Sequence, residues 1–275
     1  MRTEIIYEDD DVLVVYKPAG LATQTASVGC QDVVSELKNY IRQTEFRAGK
    51  NVQSVPYLGV IHRLDQPVEG LLVFAKNPKA ASGLSAQLRK QEEETGFCKH
   101  YYAVLYGRPV EASGELVDYL CKKDGRAEIV ECRSERQEAL DHDATGRTGK
   151  DRGTEEAEKT RKKHPGKLIR PDARKASLRY CILQTVGASD TALADIRLET
   201  GRFHQIRAQM AHGGTPLLGD LKYGNEESIE AGRRLNVRNV ALCAYRLEFV
   251  HPATGRKMDF HISPKGEVFS LFSQF

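Results

Sequence analysis

Residues 61–77 read IHRLDQPVEGLLVFAKN, and this stretch decides how the rest of the chain is interpreted. An apolar run at 57–61 and a second one at 71–75 predict two strands. Pro67 and Gly70 lie between the two runs, so we expect the chain to turn near them. The stretch is therefore predicted to be a β-hairpin with a tight connection.

Asp65 lies in this connection, two residues after Arg63. An aspartate in a turn beside an arginine is most often a solvated ion pair or a turn cap. A carboxylate that is held between two buried strands and still exposed would also suit a nucleophile or a general base. The rest of the chain has to decide between these two interpretations.

The composition restricts the class of protein. The chain has 275 residues, of which 40% are hydrophobic and 29% are charged, and its net charge is +3. These values are typical of a soluble globular protein, and a mildly positive charge permits a nucleic-acid partner without requiring one. No apolar run approaches the roughly 18 residues of a membrane span, so we expect a cytoplasmic protein that does not enter a membrane.

The six cysteines are scattered along the chain. They form no Cys-x-x-Cys pair, and no histidine follows them at the spacing of zinc ligands. The sequence therefore predicts reduced thiols, with neither a disulfide framework nor a bound metal.

Periodicity predicts the remaining helices and strands. Apolar residues recur at helical spacing over 31–47, and Asn77 can cap a second helix. A third helix is expected from an N-cap at Thr200 to a stop at Gly213, with Phe203 on its apolar face. The expected strands cover residues 12–16, 97–107, 177–185, 192–198, 240–250 and 257–262.

The composition changes at about residues 133–175. This segment mixes charges of both signs with Gly and Thr and has very few large apolar residues. Such a segment cannot bury enough apolar surface to offset the entropy lost on ordering, so we expect a mobile insertion. A basic run at 159–164 within it could contact phosphates, although such runs are usually solvated.

Several separated motifs together resemble the RluA-type RNA pseudouridine synthases. The chain opens with an acidic run and a short strand that ends in Lys-Pro-Ala-Gly at 17–20. His-Arg-Leu-Asp follows at 62–65, and Lys-x-Tyr-x-Ala at 99–103. The longest motif covers residues 198–224, which read LETGRFHQIRAQMAHGGTPLLGDLKYG. The resemblance covers most of the chain apart from the charged insertion.

The resemblance implies an α+β (α/β) pseudouridine synthase-like catalytic domain, built on a central, mostly antiparallel sheet flanked by helices and loops. It would be a single domain over 1–275, without a separate N-terminal RNA-binding domain. Asp65 would be the catalytic nucleophile, and Arg207 would keep it ionised. Tyr101 and Tyr102 must point to opposite faces of a strand, and the resemblance selects Tyr101 as the wall against the target base.

The resemblance also implies an RNA substrate, ribosomal or transfer RNA, with no metal and no cofactor. We expect the protein to act as a monomer. Polar residues in or beside the motifs are the candidates for RNA binding, although His204 and Gln205 could instead hydrogen-bond neighbouring loops. These candidates are Arg63, Lys99, Arg202, His204 and Gln205.

Val68 and Glu69 depart from the family pattern, which usually has Thr and then Ser or Thr before the glycine. If Glu69 faced Asp65, it would raise the pKa of that carboxyl group. This departure motivates an alternative function, a non-catalytic RNA-binding protein that retains the synthase fold. A glycoside hydrolase would need a second carboxylate near Asp65, and Glu69 is the nearest candidate. The enzyme is preferred because all three expected catalytic side chains are present.

Overall fold

The computed structural model describes residues 1–25, 29–49, 54–89, 96–130, 132–133, 167–168 and 170–273. In these residues the strands are Glu4–Glu8 (β1), Val12–Lys17 (β2), Gly59–Val60 (β3), Glu69–Ala75 (β4), Cys98–Tyr106 (β5), Ser113–Lys123 (β6), Arg126–Ile129 (β7), Cys132–Arg133 (β8), Lys167–Leu168 (β9), Arg174–Val186 (β10), Thr191–Leu198 (β11), Leu242–Val250 (β12) and Lys257–His261 (β13). The α-helices are Val33–Arg47 (α1), Pro78–Arg89 (α2), Gln205–His212 (α3) and Glu226–Arg234 (α4).

Eleven of the described strands form one mixed sheet in the order β1-β2-β4-β12-β5-β11-β10-β6-β7, with β3 beside β4 and β13 beside β12. Every pairing in this sheet is antiparallel except that of β4 with β12. The expected central, mostly antiparallel sheet is confirmed. Strands β8 and β9 pair with each other outside it.

Both faces of the sheet are covered at β2 and β4. Leu13 and Leu72 belong to the apolar cluster that contains the buried side of α1. Val14 and Val73 belong to a second cluster, on the opposite face, which contains Leu84 of α2. Because successive side chains of a strand alternate between faces, strands buried on both faces are apolar at consecutive positions. This explains the continuous apolar runs from which the strands were predicted.

Gly70 does not lie in a turn, contrary to expectation. It is part of β4 and opposes Ala244 of β12, and its φ angle is +129°. A Cβ at this position would lie 2.5 Å from the backbone N of Ala244. Only glycine permits such an approach, so it allows β12 to lie beside β4.

The two strands of the predicted hairpin do pair, Gly59 with Ala75, but the connection between them is longer than a tight turn.

Side chains cap three of the four described α-helices, including α4, where Asn225 accepts a hydrogen bond from the N–H of Ser228. The side chain of Asp32 accepts a hydrogen bond from the N–H of Ser35 and caps α1. Asn77 caps α2 in the same way through the N–H of Ala80, as predicted. The third helix was predicted to start at Thr200, but α3 begins at Gln205. Residues 200–204 precede it as an irregular turn.

Most of the predicted mobile insertion at 133–175, and all of the basic run at 159–164, lies outside the described residues. At its far boundary the structure differs from the prediction, because β10 already begins at Arg174. The single-domain organisation over 1–275 stays a prediction. None of the described helices combines the length and the apolar character needed to cross a membrane.

Candidate active site

A cleft of about 1050 Å³ lies where the loop at 61–68, strand β5 and the segment at 198–204 meet. We call it the Asp65 cleft. Of the site residues predicted from the sequence, only Gln205 does not line it. The residues that do are Arg63, Asp65, Lys99, Tyr101, Arg202, His204 and Arg207.

The backbone on both sides of Asp65 is held by the loop that follows β2. The hydroxyl of Thr23 donates a hydrogen bond to the carbonyl of Leu64 at 2.9 Å and accepts one from the N–H of Leu64 at 3.2 Å. On the other side, the carbonyl of Gln66 accepts a hydrogen bond from the N–H of Gly20 at 2.8 Å. Asp65 is therefore positioned by contacts with residues more than 40 positions earlier in the chain.

Lys17, the last residue of β2, contacts the same loop. Its side chain is fully buried, and its Nζ donates to the carbonyls of Pro18, Leu21 and Gln66 at 3.0, 2.6 and 3.1 Å. Burial lowers the pKa of Lys17 to about 7, while the negative charge of Asp65 acts in the opposite direction. Three carbonyl acceptors match the three N–H donors of an ammonium group. The opening motif thus holds the Asp65 loop.

We expect Thr23→Val to lower the free energy of unfolding by about 1–3 kcal/mol, because both buried backbone groups of Leu64 lose a partner. Activity should fall as well, since Asp65 follows directly. Urea denaturation monitored by circular dichroism measures the stability. Thr23→Ser keeps the hydroxyl and should remain close to the wild type. Equal stability of the valine and serine variants would contradict this role.

Arg207 joins two carboxylates from separate loops. Its Nε and Nη2 donate to the two oxygens of Asp220 at 2.6 and 2.8 Å, and its Nη1 donates to Oδ2 of Asp65 at 3.0 Å. Asp220 is further oriented by the backbone N–H groups of Lys222 and Tyr223. Burial disfavours the charge of Arg207, but the hydrogen bonds and charge of Asp220 outweigh it and raise the pKa of Arg207. A fixed positive charge is thus directed at Asp65.

His204 lies beside Asp65 and is neutral at pH 7. Its Nε2 is 3.5 Å from Oδ2 of Asp65, and its Nδ1 is 2.9 Å from the hydroxyl of Tyr223. Burial is the main cause that lowers the pKa of His204 to about 4. The backbone of His204 is in the left-handed region with φ +51°, immediately before α3. The positive charge next to Asp65 therefore comes from Arg207 and not from this histidine.

Tyr101 forms an aromatic wall of the cleft. It lies on β5, is 5% exposed, and belongs to the main apolar cluster. Burial, and secondarily the charge of Asp65, raises the pKa of Tyr101, so its hydroxyl is neutral. Tyr102 lies on the other face of the strand, where its ring stacks on that of Tyr245 at 3.6 Å. The expected division of the two tyrosines between the two faces is confirmed.

Glu69 does not face Asp65. Its carboxylate is buried, accepts a hydrogen bond from the hydroxyl of Tyr16 at 2.5 Å, and accepts two more from the N–H groups of Lys265 and Gly266. It does not line the Asp65 cleft, and the idea that it supplies a second carboxylate beside Asp65 is wrong. Val68 is 2% exposed and packs in the main apolar cluster.

Among the described residues, the cleft is lined by two carboxylates, Asp65 and Glu199. Glu199 is already engaged, because its oxygens accept from the hydroxyl of Ser177 at 2.6 Å and pair with Arg179 at 2.8 Å. Asp65 is 25% exposed at its side chain, and its charged partner is Arg207. It is therefore the carboxylate that can act as a nucleophile or a base on a bound substrate.

The residues predicted to contact RNA differ in their exposure and in their partners within the protein. Within the described residues, neither exposed Arg63 nor buried Lys99 forms an ion pair, although both line the cleft. Burial lowers the pKa of Lys99 to about 8. Arg202 is exposed and its Nε donates to the carbonyl of Lys175.

Gln205 is buried, and its amide is used within the protein. Its Oε1 accepts hydrogen bonds from Thr200 and from the N–H of Arg202, and its Nε2 donates to the carbonyl of Ser177. The expectation that Gln205 contacts RNA is therefore corrected. Its amide holds the turn before α3.

Four residues that hold the side chains or loops of the site are not singled out by the sequence, namely Lys17, Thr23, Asp220 and Tyr223. Lys17 lies in the opening motif and Thr23 just after it, and neither has a role that the sequence alone assigns. Asp220 and Tyr223 lie at the end of the motif at 198–224, where they were part of the pattern without an assigned role. The motifs themselves were therefore the signal that could have found Lys17, Asp220 and Tyr223, whereas Thr23 lies outside them.

Comparison with known proteins identifies the family. The model of the family described as RNA pseudouridylate synthase matches residues 11–212. The chain is 33% identical over 279 residues to ribosomal large subunit pseudouridine synthase D of Pseudomonas aeruginosa, covering 98% of this chain and 70% of that protein. It is 31% identical over 267 residues to the protein of the same name from Vibrio vulnificus, covering 94% of this chain and 66% of that protein.

The fold agrees with a solved structure. Human RNA Pseudouridylate Synthase Domain Containing 4 superimposes with a TM-score of 0.66 at 19% identity, over 98% of this chain and 91% of that chain. This likeness confirms the pseudouridine synthase fold, and the family match rests on the sequence comparison. The chain thus belongs to the RNA pseudouridylate synthase family, the family that its motifs resemble.

Proposed function

We propose that this protein is an RNA pseudouridine synthase, an isomerase, that modifies uridines in large-subunit ribosomal RNA. The observation that carries the proposal is the 3.0 Å contact between Asp65 and an Arg207 that is anchored on Asp220, in a cleft walled by Tyr101. Ribosomal RNA is favoured over transfer RNA because the names of the relatives described above specify the large ribosomal subunit.

The reaction exchanges one bond of uridine for another. The N1–C1′ glycosidic bond breaks, the uracil turns, a C5–C1′ bond forms, and the proton on C5 is lost while N1 gains one. The atoms balance without an oxidant or a further substrate. Asp65 would either attack C1′ and form a covalent ribosyl ester or take the C2′ proton to give a glycal. In both routes it must be ionised, which the guanidinium of Arg207 favours.

Tyr101 and the cations of the cleft would bind the substrate. Taking a uridine out of its stack costs a few kcal/mol of stacking energy. An aromatic ring such as that of Tyr101 can stack on the base and recover part of this cost. Exposed Arg63 lines the cleft without a carboxylate partner in the described part of the chain, so its charge is available to RNA phosphates. Lys99 also lines the cleft, but it is buried, so it is the weaker candidate for such a contact. His204 would serve mainly to position Asp65. The cytoplasmic location and the monomeric state stay predictions.

The alternative is a non-catalytic RNA-binding protein with the synthase fold. It was motivated by Glu69, and that carboxylate is bound elsewhere by Tyr16 and the backbone at 265–266. The enzyme is therefore the stronger proposal.

Incubation of the protein with an unmodified transcript of large-subunit ribosomal RNA should produce pseudouridine, scored by mass spectrometry of the digested nucleosides. A transfer RNA mixture, transcribed without modification, serves as the parallel substrate. Product in the transfer RNA alone would overturn the ribosomal assignment. Binding of both RNAs without product in either would favour the non-catalytic alternative.

A further inference from the structure

Phe203 was expected in the core, and the structure places it at the surface of the Asp65 cleft. Its residue exposure is 40%, because the chain enters α3 only at Gln205. The other exposed aromatic residues of the described chain are Phe46 and Tyr57, and neither lines the cleft. An aromatic ring that is 40% exposed at the wall of a cleft is accessible to a bound ligand.

The ring of Phe203 is held in a fixed plane. It stacks on the ring of His204 with 3.8 Å between the centroids and 20° between the planes. The His204 ring is fixed in turn by the hydroxyl of Tyr223 at 2.9 Å and meets the Tyr223 ring edge to face. Nε2 of His204 also lies 3.5 Å from the carboxylate of Asp65, so the His204 ring lies between Phe203 and Asp65.

A lysine side chain lies over the Phe203 ring. The Nζ of Lys122, an exposed residue, lies 4.7 Å from the centroid of Phe203. Lys222 also lines the cleft. An aromatic plane with a lysine beside it is the arrangement by which proteins bind single-stranded nucleic acid, since bases stack on the ring and phosphates pair with the ammonium group.

We propose that Phe203 is a stacking platform for the base of a nucleotide that flanks the target uridine, with Lys122 contacting its phosphate. The proposal rests on the proposed function above. When the target uridine leaves the stack to reach Asp65, the neighbouring base loses a stacking partner. Phe203 replaces that partner, while the flexible side chain of Lys122 moves from the ring to the backbone of the RNA.

Phe203→Trp tests the stacking directly, because the wild-type chain contains no tryptophan. Binding of the unmodified ribosomal transcript should quench the fluorescence of this variant. Polyphosphate, which has the charges of RNA but no bases, should leave it unchanged. Phe46→Trp provides the matched control, since Phe46 is 75% exposed and lies outside the cleft. Its fluorescence should not respond to either polymer.

Kinetics give the second readout. Phe203→Leu should raise KM for the transcript about tenfold or more, and by a larger factor than it lowers kcat, as expected for the loss of one base stack. Phe46→Leu should behave as the wild type. Lack of quenching in Phe203→Trp together with an unchanged KM in Phe203→Leu would overturn the proposal. If the wild type makes no pseudouridine, the proposed function fails, and the fluorescence still decides whether Phe203 stacks on RNA.

Discussion

The Asp65→Asn variant is expected to lose pseudouridine formation by more than about 10³-fold, as removal of a nucleophile typically does. In the wild type, Nη1 of Arg207 donates to Asp65 at 3.0 Å. Asparagine keeps the shape of the side chain, and its amide oxygen can still accept this hydrogen bond. It cannot attack C1′ or take a proton. The rate is measured on the ribosomal transcript at saturating protein.

This loss should occur in a folded protein. Arg207 retains both of its contacts to Asp220, so the free energy of unfolding should change by less than about 1 kcal/mol. Glu199→Gln makes the same change of charge at the other carboxylate of the cleft. Its oxygens are bound by Ser177 and Arg179, and this variant should retain most of the activity. If Asp65→Asn kept a tenth of the wild-type rate, Asp65 could not be the nucleophile.

The largest effect on stability is expected for Asp220→Ala. The side chains of Arg207 and Asp220 are 6% and 1% exposed, and the variant leaves a buried guanidinium with Asp65 as its remaining carboxylate. Two backbone N–H groups, of Lys222 and Tyr223, lose their acceptor as well. Breaking a buried pair from one side costs about 3–5 kcal/mol, which urea denaturation would detect. Activity should fall too, because Arg207 is no longer aimed at Asp65.

Asp259→Ala is the matched control for this effect. Asp259 binds Arg246 through the same two-oxygen geometry, at 3.0 and 2.8 Å, but the two side chains are 30% and 35% exposed. An exposed pair contributes at most about 1 kcal/mol. If Asp220→Ala and Asp259→Ala lowered the free energy of unfolding by similar amounts, burial of the Arg207–Asp220 pair would not be what makes it stabilising.

Local signals in the sequence predicted the scaffold well. The cap of α2 by Asn77 depends on residues three positions apart, and the apolar runs of β2 and β4 reflect burial on both faces. The 3.0 Å contact of Asp65 with Arg207 spans 142 residues. No periodicity or spacing could bring these residues together, and they were predicted as a set only through the family motifs.

Two features of the site could not be predicted because specific hydrogen bonds decide them, namely the orientation of Glu69 and the exposure of Phe203. Glu69 turns away from Asp65 because it is bound by backbone N–H groups of Lys265 and Gly266, almost 200 residues later. Phe203 fits a helical pattern with Ile206, but the amide of Gln205 binds the turn at 200–202 and delays the helix. The orientation of Glu69 cannot be derived from the neighbouring sequence, whereas the late start of α3 depends on local side-chain–backbone hydrogen bonds that compete with the helix.

The position of β12 also has a consequence for biosynthesis. β12 lies between β4, which follows the Asp65 loop, and β5, which carries Tyr101, although both strands are made more than 130 residues before it. A nascent chain that has not yet released Leu242–Val250 from the ribosome cannot join these strands into one sheet. The cleft should therefore form late, so that a growing chain acquires its activity only after Leu242–Val250 has been translated.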